Sequence, residues 1–228
     1  MPEPEGDGRN EDWAVHLERE RARYADGEAR LGDAADADAR QRQLTRLGNA
    51  AGGAGLALLM EGRPAEAARW FERAAARYRE SFADAPAGSW GRPIGAIKSL
   101  VLAGDWAGAE NAARWALDEG AAKAESPIGH YAAALALLVL GRDEEARSHA
   151  DAIRLRDDFP QAVGDALAFI ASRDVIGYTH AVEAVLESFE RRDEYLQNMP
   201  VADTVIVLQA LAARRNLAAD LESSLLPS

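Results

Sequence analysis

The chain has 228 residues, enough to bury a sizeable core as one large domain or two small ones. Apolar residues make up 48% of it and charged residues 28%, with 38 acids against 26 bases and a net charge of −12. This balance argues against a nucleic-acid binder, which needs clustered positive charge, and the absence of cysteine excludes disulfides, thiol nucleophiles and thiolate metal sites.

Alanine supplies 50 positions, against 19 glycines and 9 prolines. It loses no side-chain entropy in a helix and is depleted in strands, so the expected class is all-α. No run approaches the roughly 18 apolar residues of a membrane span. The start, MPEPEGDGRNED, has neither a basic nor an apolar signal region. The expectation is a cytoplasmic protein without membrane contact. Lys98 and Lys123 are the two lysines among the 26 bases, the other 24 being arginines. Both a GC-rich genome and a high-salt, halophilic cytoplasm fit this composition, as does a basic partner.

Residues 1–11 are polar and acidic and are expected to be disordered, leaving 12–228 as one helical domain. Trp13, Leu17 and Tyr24 share one face of a helix over about 12–25, and GDAADADAR (32–40) reads as an acidic break. Leu44, Leu47, Ala51, Ala54 and Leu58 then alternate steps of three and four, which predicts a helix with one buried stripe. Glu61-Gly62-Arg63-Pro64 ends it, and Pro64 suits the first turn of the next helix. That helix carries Ala67, Trp70, Phe71, Ala74, Tyr78 and Phe82, with Trp70, like Trp115 later, expected in the core.

The same unit recurs. Gly62, Gly104 and Gly141 are each followed five residues later by alanine, at Ala67, Ala109 and Ala146, in GRPAEA, GDWAGA and GRDEEA. Glycine permits the left-handed turn between two helices, and alanine lets the second helix approach the first closely. The spacings are 42 and 37 residues. Counted from these glycines, the chain resembles the tetratricopeptide repeat, whose period is about 34 residues. The first unit matches at Gly55, Gly62, Ala67, Phe71 and Ala74, the second at Leu100, Gly104, Ala109 and Ala116, and the third at Leu137, Gly141 and Ala146. The resemblance implies stacked antiparallel helical hairpins, an α-α superhelix of about 8–9 helices.

Beyond Pro160 the pattern predicts helices at about 161–172, 175–192 and 201–215, the last rich in Val205, Ile206, Val207, Leu208 and Leu211, with Asn216 as its cap and an extended tail. DALAFIASRD, FERRDEY and VADTVIVLQALAARRNL…LESSLLP resemble family 49 of the polymorphic-toxin immunity proteins, at Leu208, Ala210, Leu211, Ala212, Arg215, Ser223, Leu226 and Pro227. Asn216 stands where the family pattern expects glycine, and the aromatic before the final Leu-Pro is missing. This resemblance implies a cytoplasmic protein that binds and neutralises a toxin domain.

Chemical motifs are sparse. No G-x-S-x-G, phosphate loop or HExxH occurs, and Ala51-Gly52-Gly53-Ala54-Gly55 sits within a helical pattern, where it reads as close packing. His180, Glu183 and Glu187 could share a helix face, the basis of a rival reading as a small metal-dependent enzyme. Glu145 and His149 form a second i, i+4 pair, read as solvated surface. The expected function is non-catalytic protein–protein recognition without cofactor or metal. The partner is expected to be a protein, either a basic toxin domain or a peptide.

In tetratricopeptide arrays one face of each first helix lines a concave groove. Here that face reads Asn49, Leu56, Leu59 and Met60, then Ile94, Lys98, Val101 and Leu102, then Ile128, Tyr131, Leu135, Leu138 and Val139. Asn49, Lys98 and Tyr131, with Trp90 and Trp106 near the turns, are the candidate binding residues. So much apolar surface needs cover, and the C-terminal helix is expected to provide it.

Overall fold

The structure is a computed structural model that describes residues 12–195 and 198–228. The expected disorder of residues 1–11 lies outside the described residues. Ten α-helices follow one another among these: α1 (Trp13–Ala29), α2 (Ala37–Met60), α3 (Pro64–Phe82), α4 (Gly91–Leu102), α5 (Trp106–Asp118), α6 (Pro127–Val139), α7 (Asp143–Arg154), α8 (Gln161–Ser172), α9 (Val175–Glu190) and α10 (Asp203–Ala213). Each of α1 to α9 packs against the next, which gives an all-α stack of antiparallel hairpins. No helix is long and apolar enough to cross a membrane among the described residues.

Local chemistry explains the helix ends. The acidic stretch expected as a break supplies the start of α2, where the Asp36 carboxylate accepts from the Ala39 N–H at 2.7 Å. The α1 helix runs through Gly27 to Ala29, past the predicted end. Every residue of the predicted stripe on α2 is buried, and Pro64 opens α3.

The three turn glycines adopt one conformation, with φ of 71° at Gly62 and 72° at Gly104 and Gly141. At each, the glycine N–H donates three residues back and the next N–H five residues back. At the first turn these are Gly62 to Leu59 (3.0 Å) and Arg63 to Leu58 (2.9 Å), which satisfies the last carbonyls of the helix. Ala67, Ala109 and Ala146 are completely or almost completely buried.

A fourth hairpin, α8–α9, has the same turn with Arg173 in the glycine position at φ 57°. Arg173 donates to Ile170 and Asp174 to Phe169 in the same pattern. Tyr178 stands where the other hairpins carry alanine, fully buried with its hydroxyl 2.7 Å from Gln209 Oε1. Neither substitution was legible as a repeat.

Buried side chains form one large cluster from α4 to the tail and two smaller ones under α1–α3. In α6 every residue from Tyr131 to Val139 is buried, because α4, α5, α7 and α8 all pack against it. Leu135, Leu138 and Val139 therefore lie in the core and not on a groove, while Ile128 is exposed. Trp70 and Trp115, expected as core, are half-buried. Arg73 lies 4.6 Å over the Trp70 ring and Arg79 5.0 Å over Trp115, so the guanidinium groups complete the cover.

The α10 helix packs against α4, α8 and α9, burying Val205, Val207, Leu208 and Leu211. The helix ends at Ala213 with Arg214 as its cap, and Asn216, predicted as the cap, takes a left-handed conformation (φ 59°) in the turn that follows. The tail is then tied back: Ala219 exchanges hydrogen bonds with the Gln209 amide at 3.0 and 2.6 Å, and Ala202 N–H donates to Leu225 at 2.9 Å.

Candidate functional site

The first helices α2, α4, α6 and α8 lie side by side in the stack, and all four contribute residues to one cavity. Residues 199–204 pass across them, so what would be an open groove becomes a cavity of about 570 Å³. Its volume lies within the range of ligand pockets, roughly 300–1,000 Å³. The predicted cover is thus partial: Asp203 and Thr204 of α10 line the cavity, while Val205, Val207, Leu208, Leu211 and Ala212 go into the large core cluster and Ile206 packs on the smaller one beneath α1–α3.

Gly52 gives the cavity depth on the α2 side, since a side chain built there would meet no atom within 4 Å. Gly48 and Gly95 serve otherwise, letting the Tyr78 ring lie between the α2 and α4 backbones, within 2.9 Å of either added Cβ. Tyr78 is fixed by its hydroxyl, which donates to Asn49 Oδ1 at 2.7 Å. Burial, with the Asp203 charge behind it, pushes the Tyr78 phenol well above the ordinary tyrosine range.

Lys98 Nζ lies 2.5 Å from Asp203 Oδ2 and 3.1 Å from Thr204 Oγ1. Burial pulls the ammonium pKa down, but the Asp203 charge and, less so, Tyr131 outweigh it and hold it above the usual lysine value. Burial also raises the Tyr131 phenol, against the opposing pull of Lys98.

Two further cations line the cavity, and sequence reasoning singled out neither. Arg192 lies with its guanidinium 3.8 Å over the Phe189 ring. Arg92 bonds to the neutral amide of Gln41, and its Nε is buried without a partner among the described residues. None of the ion pairs among the described residues involves Arg92, and burial lowers its pKa. The cavity thus holds Arg92, Lys98 and Arg192 against Asp203, an excess of positive charge within a chain of net charge −12.

Of the five candidate residues, Asn49, Lys98 and Tyr131 line this one cavity. Trp90 and Trp106 lie elsewhere. Trp90 precedes α4 with its ring 6.1 Å from Phe82, and Trp106 is half-buried beneath Arg214, 4.3 Å away. His180 is 78% exposed and lies 3.7 Å from Glu183, and no group of three or more His, Asp or Glu could hold a metal among the described residues. His130 and His149 come together at 3.0 Å between their Nδ1 atoms, which neither position suggested in the sequence.

The positions that carry the immunity-family resemblance hold the end of the fold together. Leu208, Leu211 and Ala212 are buried, and Arg215 binds Asp143 and donates to the Leu138 carbonyl at 2.8 Å. Comparison of the chain with protein-family models, curated proteins and solved structures finds no match.

Proposed function

We propose that this chain is a non-catalytic protein-recognition module whose cavity receives an extended segment of a partner protein. The segment places an acidic side chain beside Arg92 and an apolar neighbour against Leu56, Leu102 and Phe71. The observation that carries this reading is Arg92, a cation with a buried, unpartnered Nε and no carboxylate beside it. Elsewhere the chain pairs its arginines freely: Arg63, Arg77, Arg142 and Arg154 each hold a carboxylate within 3.0 Å. An anion brought by a ligand supplies the missing charge partner in a poorly solvated place, where such a bond is strongest.

A photo-crosslinking residue at Leu56 tests this in cells. The expected result is a discrete crosslinked partner whose yield drops when Arg92 is changed to Met, with the fold retained. The change also gives up the hydrogen bond to the buried Gln41 amide, so a modest loss of about 1–3 kcal/mol is expected alongside. A partner captured equally well by Arg92→Met overturns the reading.

Toxin neutralisation is the second reading, and its support is the net charge of −12 together with the C-terminal resemblance. A basic toxin domain would be drawn to the net negative charge by charge complementarity. Its binding would weaken steeply with added salt and would be indifferent to Arg92→Met.

A further inference from the structure

A second concavity, of about 230 Å³, lies where the C-terminal end of α6 meets α5, the α8–α9 turn and the end of α10. Arg114, Arg173, Arg214 and Arg215 line it, against the two carboxylates Glu110 and Asp143. Two positive charges are left over here, in a chain with twelve negative charges in excess. We infer that this pocket binds the dianionic phosphate of a phosphomonoester through Arg173 and Arg114.

The four arginines do not share one role. Arg215 is 6% exposed and locked, bound to Asp143 and to the carbonyls of Leu138 and Leu211 at 2.8 and 3.1 Å. Arg214 stacks on Trp106 and reaches the Val139 carbonyl at 3.4 Å. These two occupy the carbonyl end of α6, where cations offset the helix dipole. That role accounts for both of them and makes a rigid, electropositive floor.

It does not account for Arg173. At 69% exposure this side chain has one loose carboxylate contact, 3.6 Å to Asp143, which Arg215 already occupies. Its backbone sits at φ 57°, in the turn position that the other three hairpins give to glycine. An L-residue is strained there, and strain kept at one turn out of four points to a use for the side chain. Arg114 lines the same pocket, sharing Glu110 with Arg214 at 3.1 and 3.8 Å. Guanidinium forks lining one pocket suit the tetrahedral oxygens of phosphate better than they suit a carboxylate already taken.

Arg173→Gly is the decisive variant, because it removes the guanidinium and relieves the backbone at once. Calorimetric titration of the full chain with inorganic phosphate at low ionic strength should give saturable one-to-one binding. Arg173→Gly should keep or raise the melting midpoint and weaken phosphate about tenfold or more, the loss of one charge-assisted contact. Arg114→Gln should weaken it as well. Arg156→Gln, on an exposed arginine paired with Asp158 at 2.9 Å, should leave affinity unchanged.

Titration with O-phosphoserine separates the two sources of the group. Tighter binding than inorganic phosphate identifies a phosphorylated protein side chain as the ligand, and equal binding identifies a free phosphate ester. No saturable binding by the wild type, or equal weakening by Arg156→Gln and Arg173→Gly, overturns the site. A drop in melting midpoint for Arg173→Gly also overturns it, since the arginine would then serve the fold.

Discussion

Lys98 on α4 and Asp203 at the first turn of α10 are 105 residues apart in sequence and meet at 2.5 Å on the cavity wall. The pair ties the last helix to the middle of the stack, with side-chain exposures of 15% and 32%. A charge left alone in such a place costs more than the pair contributes.

Asp203→Ala is therefore expected to destabilise the protein by about 2 kcal/mol, less than the 3–5 kcal/mol of a fully buried pair, because Asp203 keeps some water contact. The Lys98 pKa is raised from its ordinary value of 10.5, so its contribution is fully present below that value and is lost as pH rises through the folded-state pKa. Urea melts of the wild type and Lys98→Met should differ at pH 8 and converge above pH 10.5. The raised phenols of Tyr78 and Tyr178 weaken both proteins at high pH and largely drop out of the difference, whereas Tyr131, which Lys98 holds down, is raised further in Lys98→Met and makes the convergence incomplete.

The hairpin turns predict a contrast between glycines. Gly104→Ala puts a Cβ at φ 72° and should cost about 1–2 kcal/mol. Gly52→Ala, inside α2 with open space beside it, should be neutral or stabilise by up to about 1 kcal/mol. Ala109→Leu should overpack the second hairpin at a cost of about 1–3 kcal/mol. Equal effects of the two glycine changes in chemical denaturation would contradict the assigned turn geometry.

The same residues explain what could be read in advance. Glycine at a left-handed turn and alanine at a helix crossing are local requirements, so three hairpins were legible from spacing alone. The fourth was hidden because Arg173 accepts the strained conformation and Tyr178 replaces the small residue, its hydroxyl anchored on Gln209. Asn49, Lys98 and Tyr131 were placed together because groove register follows from the turn glycines. Arg92 was missed for the opposite reason: nothing in a helix start such as GRPIGA says that an arginine will lack a carboxylate partner. Contacts such as His130 with His149 depend on how α6 and α7 pack, which periodicity does not encode.

That histidine contact predicts an acid limb. Burial lowers the His149 pKa below 6.5, His130 lowers it further, and Glu145 opposes both. A depressed histidine gives stability that is present above pH 6.5 and is lost as pH falls, because the unfolded chain takes the proton first. Melting midpoints from pH 7.5 down to 5 should fall more steeply in the wild type than in His149→Gln. Parallel curves would contradict a lowered His149 pKa.

The C-terminal helix carries a larger share of stability than its 11 residues suggest. Val205, Val207, Leu208 and Leu211 are each at most 1% exposed. At roughly 1.5–3 kcal/mol for each buried side chain, their loss is comparable to the whole stability of a typical domain, about 5–15 kcal/mol. Leu211→Ala alone should cost about 2–5 kcal/mol, since α4, α8 and α9 enclose the helix and leave little room to relax. Truncation after Pro200 also strands Lys98 without Asp203. The truncated chain is expected to aggregate or to unfold without a cooperative transition, read by size-exclusion chromatography and urea denaturation. A monomeric, cooperatively folded truncation would show instead that α1–α9 are self-sufficient, and that the last helix is a removable cover over the cavity.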